Sequence, residues 1–136
     1  MYANFFVRKN TLFMKVQMRS NDIFYGLTFD APFFAFLHQS IWHILKETYP
    51  DLKLGRYFHF ADNLHYYERH FELADNIIAE EEIEASTFLI KRPFIEYKNG
   101  VVRLSDAALE YCSRIDASIG QDGVNYKNIL SDYFNT

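Results

Sequence analysis

The chain has 136 residues, nearly half of them apolar, with fourteen Phe and ten Tyr. That is enough apolar mass for one folded unit with a modest core, and too much for a disordered chain. A net charge of −4 argues against a nucleic-acid binder, which needs a basic face to displace counterions; one cysteine excludes a disulfide framework.

Residues 4–7 and 11–19 read as a β-hairpin around Lys9-Asn10. Leu12, Met14, Val16 and Met18 fall on one face and Phe13, Lys15 and Gln17 on the other, the alternation of a strand with one buried side. Asp30-Ala31-Pro32 reads as a helix start, Asp as N-cap and Pro in the first turn. The helix runs to about Thr48 and is apolar nearly all round, which predicts burial. Tyr49-Pro50 ends it, and Gly55 leads into a short strand over 56–60.

A second helix is expected over 64–80, with Leu64, Tyr67, Phe71, Ala74 and Ile78 as its apolar stripe. The acidic run at 80–82 reads as a solvated loop or a frayed helix end. Residues 88–97 and 101–104 read as strands joined by Asn99-Gly100, with Pro93 confining the first to an edge. Ser105 caps a helix toward Ala117, and Gly120 to Gly123 separates it from a last helix near 126–134. No apolar run is long enough to span a membrane, and Arg8 with Lys9 interrupts any signal-like N-terminus. The chain is expected to be cytoplasmic.

The five histidines show no metal-binding spacing: His38 with His43 and His65 with His70 are five apart, off a common helical face. Cys112 sits in an expected helix with no neighbouring histidine motif, so packing is its default role.

Two stretches carry chemistry. Arg19-Ser20-Asn21-Asp22-Ile23-Phe24-Tyr25-Gly26-Leu27-Thr28-Phe29-Asp30 places a permanently charged planar fork at a strand end, then a glycine turn opening a helix. Asn63-Leu64-His65-Tyr66-Tyr67 follows about 40 residues later. Together they resemble the nucleotide-holding half of the thymidylate synthase and deoxycytidylate hydroxymethylase family, over about residues 4–74. The resemblance implies an α+β, thymidylate-synthase-like layered sheet with a long buried helix. It also implies a nucleotide-binding core over 1–80; residues 81–136, where the resemblance fades, are expected to form a C-terminal hairpin and helices of unknown role packed on the same domain.

By that resemblance, Arg19 and Ser20 hold the 5′-phosphate, Gly26 lets backbone approach the ligand, and His65 and Tyr67 hydrogen-bond the 3′-hydroxyl of the sugar. Asp22 matches a position that helps order the folate cofactor and the active-site water. Asp30 stands where thymidylate synthases carry asparagine and agrees with the hydroxymethylases. Cytosine offers a donor at N4 and an acceptor at N3, the inverse of uracil, so a carboxylate here favours dCMP or CMP over dUMP. A uracil in its place would leave a buried mismatch of about 1–3 kcal/mol.

Several plainer readings stay open. Arg19 could pair with Asp22, Asp22 could be a loop carboxylate, Gly26 an ordinary turn glycine, Asp30 only a helix cap, and Tyr67 a core tyrosine. Full-length relatives transfer a one-carbon unit from 5,10-methylenetetrahydrofolate to C5 of the pyrimidine through a cysteine adduct. Their nucleophile lies upstream of the arginine and would fall just before Met1. No catalytic residue other than Asp22 is therefore expected in this chain, which is expected to be inactive by itself. The family also implies a homodimer, consistent with the apolar hairpin at 5–18. The alternative is a non-catalytic protein-interaction module with a vestigial nucleotide pocket.

Overall fold

Lys9 and Asn10 both adopt left-handed backbone (φ 47° and 58°), the tight two-residue turn whose twist matches its flanking strands. It joins β1 (Tyr2–Arg8) to β2 (Thr11–Met18) in register, Arg8 opposite Thr11 and Tyr2 opposite Gln17. The computed structural model describes residues 1–80, 89–120 and 126–135.

After β2 the chain makes a two-residue strand, β3 (Asn21–Asp22), and a wide π-type turn over Ile23–Leu27, then enters α1 (Thr28–Lys46). It returns as β4 (Lys53–Ala61), parallel to β2, giving a three-stranded sheet in the order β1-β2-β4 under the helix. β4 is longer than the strand expected over 56–60. The ladder slips between Leu12 and Met14. There Gly55 passes so close that a Cβ would lie 2.6 Å from the Leu12 carbonyl oxygen.

Met14 and Val16 are fully buried, as their alternation requires, and pack with Phe34 of α1 and the flanking Phe5, Met18, Leu37 and Tyr57. α1 itself is not apolar-buried all round. Phe29 and Phe33 are 72% and 59% exposed, while polar His38, Gln39 and Ser40 are buried. These polar groups fasten the helix to its neighbours. His38 donates from Nε2 to the Leu12 carbonyl at 3.1 Å, Gln39 Oε1 accepts from the Ile90 N–H at 2.8 Å, and Trp42 Nε1 donates to the Leu52 carbonyl at 2.8 Å.

The expected helix over 64–80 forms only in its second half. Leu64–His65 is instead a short strand, β5, parallel to β3; a single tight turn at Glu68–His70 leads into α2 (Phe71–Ala79). Backbone pairing to β3 captured a segment whose side-chain spacing is helical. The acidic run beyond Glu80 and the residues on either side of Gly123 lie outside the described residues.

Pro93 divides the strand expected over 88–97. Its N-terminal piece is β6 (Leu89–Ile90), which pairs with β9 (Phe134–Asn135); the other piece, β7 (Ile95–Lys98), forms a hairpin with β8 (Val101–Leu104) through Asn99 and Gly100, both at positive φ. Ser105 caps α3 (Asp106–Ser118), accepting from the Ala108 N–H at 3.1 Å, and α4 (Tyr126–Tyr133) follows. Ile90, Phe94, Ala108, Tyr133 and Phe134 form a second buried cluster against Phe36 of α1. Cys112 is exposed on α3, not packed.

Candidate functional site

The turn at Ile23–Leu27 is set by Asp22, whose Oδ1 accepts from the backbone N–H groups of Phe24 at 2.7 Å and Tyr25 at 2.9 Å. Those bonds hold the Asp22 carboxyl below its usual range, chiefly the one from Tyr25, with help from the nearby His65 and His70. Asp22 is thus the cap, and Oδ2 makes no hydrogen bond among the described residues. It does not pair with Arg19, which stands exposed at the end of β2 with no ion pair among the described residues.

The cap expected at Asp30 is not made there. α1 begins two residues earlier, so Asp30 is a half-buried first-turn carboxylate, favourably placed toward the positive end of the helix but not needed to satisfy its backbone.

β3 and β5 lie side by side, Asp22 opposite His65. That pairing brings Ser20 Oγ to 3.4 Å from His65 Nδ1, 45 residues apart in sequence. His65 in turn meets the edge of Tyr67, ring centroids 5.5 Å apart. Four of the expected site residues, Ser20, Asp22, His65 and Tyr67, therefore meet across one pair of short strands. Gly26 lies on the turn that Asp22 caps, and Asp30 in the first turn of α1 that follows it. The Arg19 guanidinium is not drawn into these contacts.

Several contributors were not singled out in the sequence. Asn21, 4% exposed, has its amide nitrogen 3.0 Å from His59 Nε2, and its Oδ1 lies against Gly26 so tightly that a Cβ there would be 2.0 Å away. His59 Nδ1 hydrogen-bonds the Tyr57 hydroxyl. Arg69 lies over the rings of Tyr67 (4.9 Å) and Tyr25 (5.5 Å) and donates from Nε to His70 Nε2 at 3.2 Å. Buried His70 packs against Phe24 and Tyr25, so the Tyr67 segment is clamped to the glycine turn. The sequence signal for Tyr57 and His59 was their alternation on β4, which puts both on the helix-facing side.

The sequence model of the thymidylate synthase family matches residues 1–111. The chain belongs to the thymidylate synthase family. Among solved structures it is similar to thermostable thymidylate synthase A from Bacillus subtilis, at 25% identity and a TM-score of 0.56; the match covers 65% of this chain and 30% of that one. The α+β fold is thus that of a thymidylate-synthase-family chain. The chain spans less than a third of the length of that structural neighbour. No curated protein matches it. No described helix is long and apolar enough to cross a membrane.

Proposed function

We propose that this thymidylate-synthase-family chain holds a pyrimidine nucleoside monophosphate and prefers cytosine to uracil. The observation that carries the reading is the meeting of Ser20 with His65, 45 residues apart in sequence, across the pairing of β3 with β5; Asp30 is not used as a cap on the helix that follows. In this reading Arg19 and Ser20 take the 5′-phosphate. The exposed guanidinium, with no ion pair among the described residues, offers the bidentate donors that phosphate oxygens match. His65 and Tyr67 take the sugar hydroxyl, Gly26 admits the ligand close to backbone, and Asp30 accepts from the exocyclic amine of cytosine.

The associated reaction, carried out by full-length relatives and not expected of this chain alone, is C5 one-carbon transfer to the pyrimidine, with dCMP or CMP as the bound nucleotide and hydroxymethylation as the cytosine-specific variant. The residues fit a folate. Asp22 keeps one carboxylate oxygen free of hydrogen bonds among the described residues, and the exposed rings of Tyr25, Phe29 and Phe33 provide flat apolar surface near that turn. When bound, 5,10-methylenetetrahydrofolate supplies the one-carbon unit. Asp22 holds the turn that faces it, and its depressed pKa keeps it an acceptor at neutral pH.

A second copy of the chain is the proposed partner, in the cytoplasm. The sheet face opposite α1 carries stacked Phe6, Phe13 and Phe58, with Phe60 beside them under Lys15. The exposed rings of Phe6, Phe58 and Phe60, together with Phe29 and Phe33, favour the alternative of a protein-interaction module with a vestigial pocket.

Calorimetric titration with the deoxy and ribo forms of cytidylate and uridylate separates the two. Saturable binding with cytidylate tighter is expected, and Asp30→Asn is expected to shift the preference toward uridylate by about 5- to 150-fold, the worth of one acceptor–acceptor mismatch. Heat from neither nucleotide would favour the interaction module; a preference unchanged in Asp30→Asn would remove Asp30 from the base.

A further inference from the structure

We propose that Arg69 is a second anion-binding residue of this site, and that the site takes a pyrimidine nucleotide carrying a phosphate on the 3′-oxygen of the sugar as well as on the 5′-oxygen. The proposal rests on the nucleotide reading above, which gives the sugar hydroxyl to His65 and Tyr67.

Arg69 sits in the tight turn Glu68–His70, between the end of β5 and the start of α2. Its guanidinium carbon lies 4.9 Å from the centroid of the Tyr67 ring and 5.5 Å from that of Tyr25, and its Nε donates to His70 Nε2 at 3.2 Å. His70 is 7% exposed and its ring centroid is 5.0 Å from those of both Phe24 and Tyr25, so the group that holds the guanidinium is itself held. An arginine side chain ordinarily gives up much rotamer freedom when it binds an anion. Here two rings and a hydrogen bond have already fixed it.

Only Nε is used. Nη1 and Nη2 make no hydrogen bond and no ion pair among the described residues. Glu68 precedes Arg69 and Glu72 follows three residues later, yet neither pairs with it, whereas Arg92, Arg103 and Arg114 each meet a carboxylate. The terminal nitrogens form the planar edge that matches the oxygens of a phosphate in bidentate fashion.

Position decides which phosphate. Ser20 Oγ lies 3.4 Å from His65 Nδ1, the His65 ring meets the Tyr67 ring at 5.5 Å, and Arg69 lies over Tyr67. Along this series of contacts two guanidinium groups bracket the His65–Tyr67 pair, Arg19 next to Ser20 in sequence and Arg69 on the Tyr67 ring. A nucleotide with its 5′-phosphate at Arg19 and Ser20 and its 3′-oxygen at His65 and Tyr67 brings the substituent of that oxygen beside Arg69. A free hydroxyl there offers the second guanidinium no charge. A phosphate ester offers it two anionic oxygens, with the Tyr67 hydroxyl as a further donor.

Calorimetric titrations of the full chain with deoxycytidine 3′,5′-bisphosphate and with deoxycytidine 5′-monophosphate test this. The bisphosphate is expected to bind about tenfold tighter or more, the worth of charge-assisted hydrogen bonds to one phosphate. Arg69→Met is expected to bring that ratio close to one, and Arg69→Lys, which keeps the charge but not the fork, to retain part of it. Each ratio compares two ligands on the same variant, so a general loosening of the turn cancels. Phosphorus-31 NMR of the wild-type complex needs no variant: both resonances of the bound bisphosphate are expected to shift. A wild-type ratio of one, a ratio that survives in Arg69→Met, or a 3′ resonance left at its free position overturns the proposal and leaves the nucleotide reading standing. A wild-type chain that binds neither ligand overturns both.

Discussion

Substituting Gly26 by alanine tests the packing on which the site depends. Its Cβ would sit 2.0 Å from Asn21 Oδ1 and 3.2 Å from Asn21 Cγ, so the Asn21 side chain must leave its place. Asn21 is buried and bound to His59, so displacing it leaves a buried amide without its partner, at a cost of about 1–3 kcal/mol. Crowding adds about 1–3 kcal/mol, and alanine returns at most about 1 kcal/mol through its lower backbone entropy in a helical turn. The expected net loss is about 2–4 kcal/mol, read as a lowered urea midpoint at unchanged slope. In an Asn21→Ala background the obstacle is gone, and Gly26→Ala is expected to be neutral or slightly stabilising. The two substitutions should therefore couple by about 2 kcal/mol or more in a double-mutant cycle. Equal penalties in both backgrounds would refute the proposed contact between Gly26 and Asn21.

Acid should weaken the fold through its buried histidines. Burial lowers the pKa of both His38 and His43, against the opposing bonds they donate to the Leu12 and Ile90 carbonyls. A histidine with a depressed folded pKa contributes stability that is complete above its unfolded value, about 6.5, and is lost as pH falls toward the folded value. The urea midpoint is thus expected to drop from pH 7 to pH 5, less steeply in His38→Gln; a midpoint rising over that interval would contradict the assignment. On the sheet face, Phe58→Glu places a charge among Phe6, Phe13 and Lys15 and is expected to convert a dimer to monomer in sedimentation velocity. A wild-type chain that sediments as a monomer at high concentration would rule out that interface.

Local chemistry made much of the fold legible. Lys9-Asn10 and Asn99-Gly100 each form a tight turn because these residues tolerate left-handed backbone, and the alternation of β2 marks its buried face because side chains on a strand point to opposite sides. Ser105 signals its helix by offering an oxygen to otherwise unpaired N–H groups. The site residues that the family resemblance marks occupy the same local features, a strand end, a turn and a helix start.

Sequence alone determined these short-range features, since each depends on the torsions or donors of a few adjacent residues. Tertiary structure decided the rest. Pairing of β5 with β3 overrode the helical spacing of residues 64–67, because backbone hydrogen bonds to a neighbouring strand outweigh the weak preference of an exposed half-stripe. It also moved the cap from Asp30 to Asp22, and joined Asn21, Gly26 and His59 across segments whose proximity no local rule encodes.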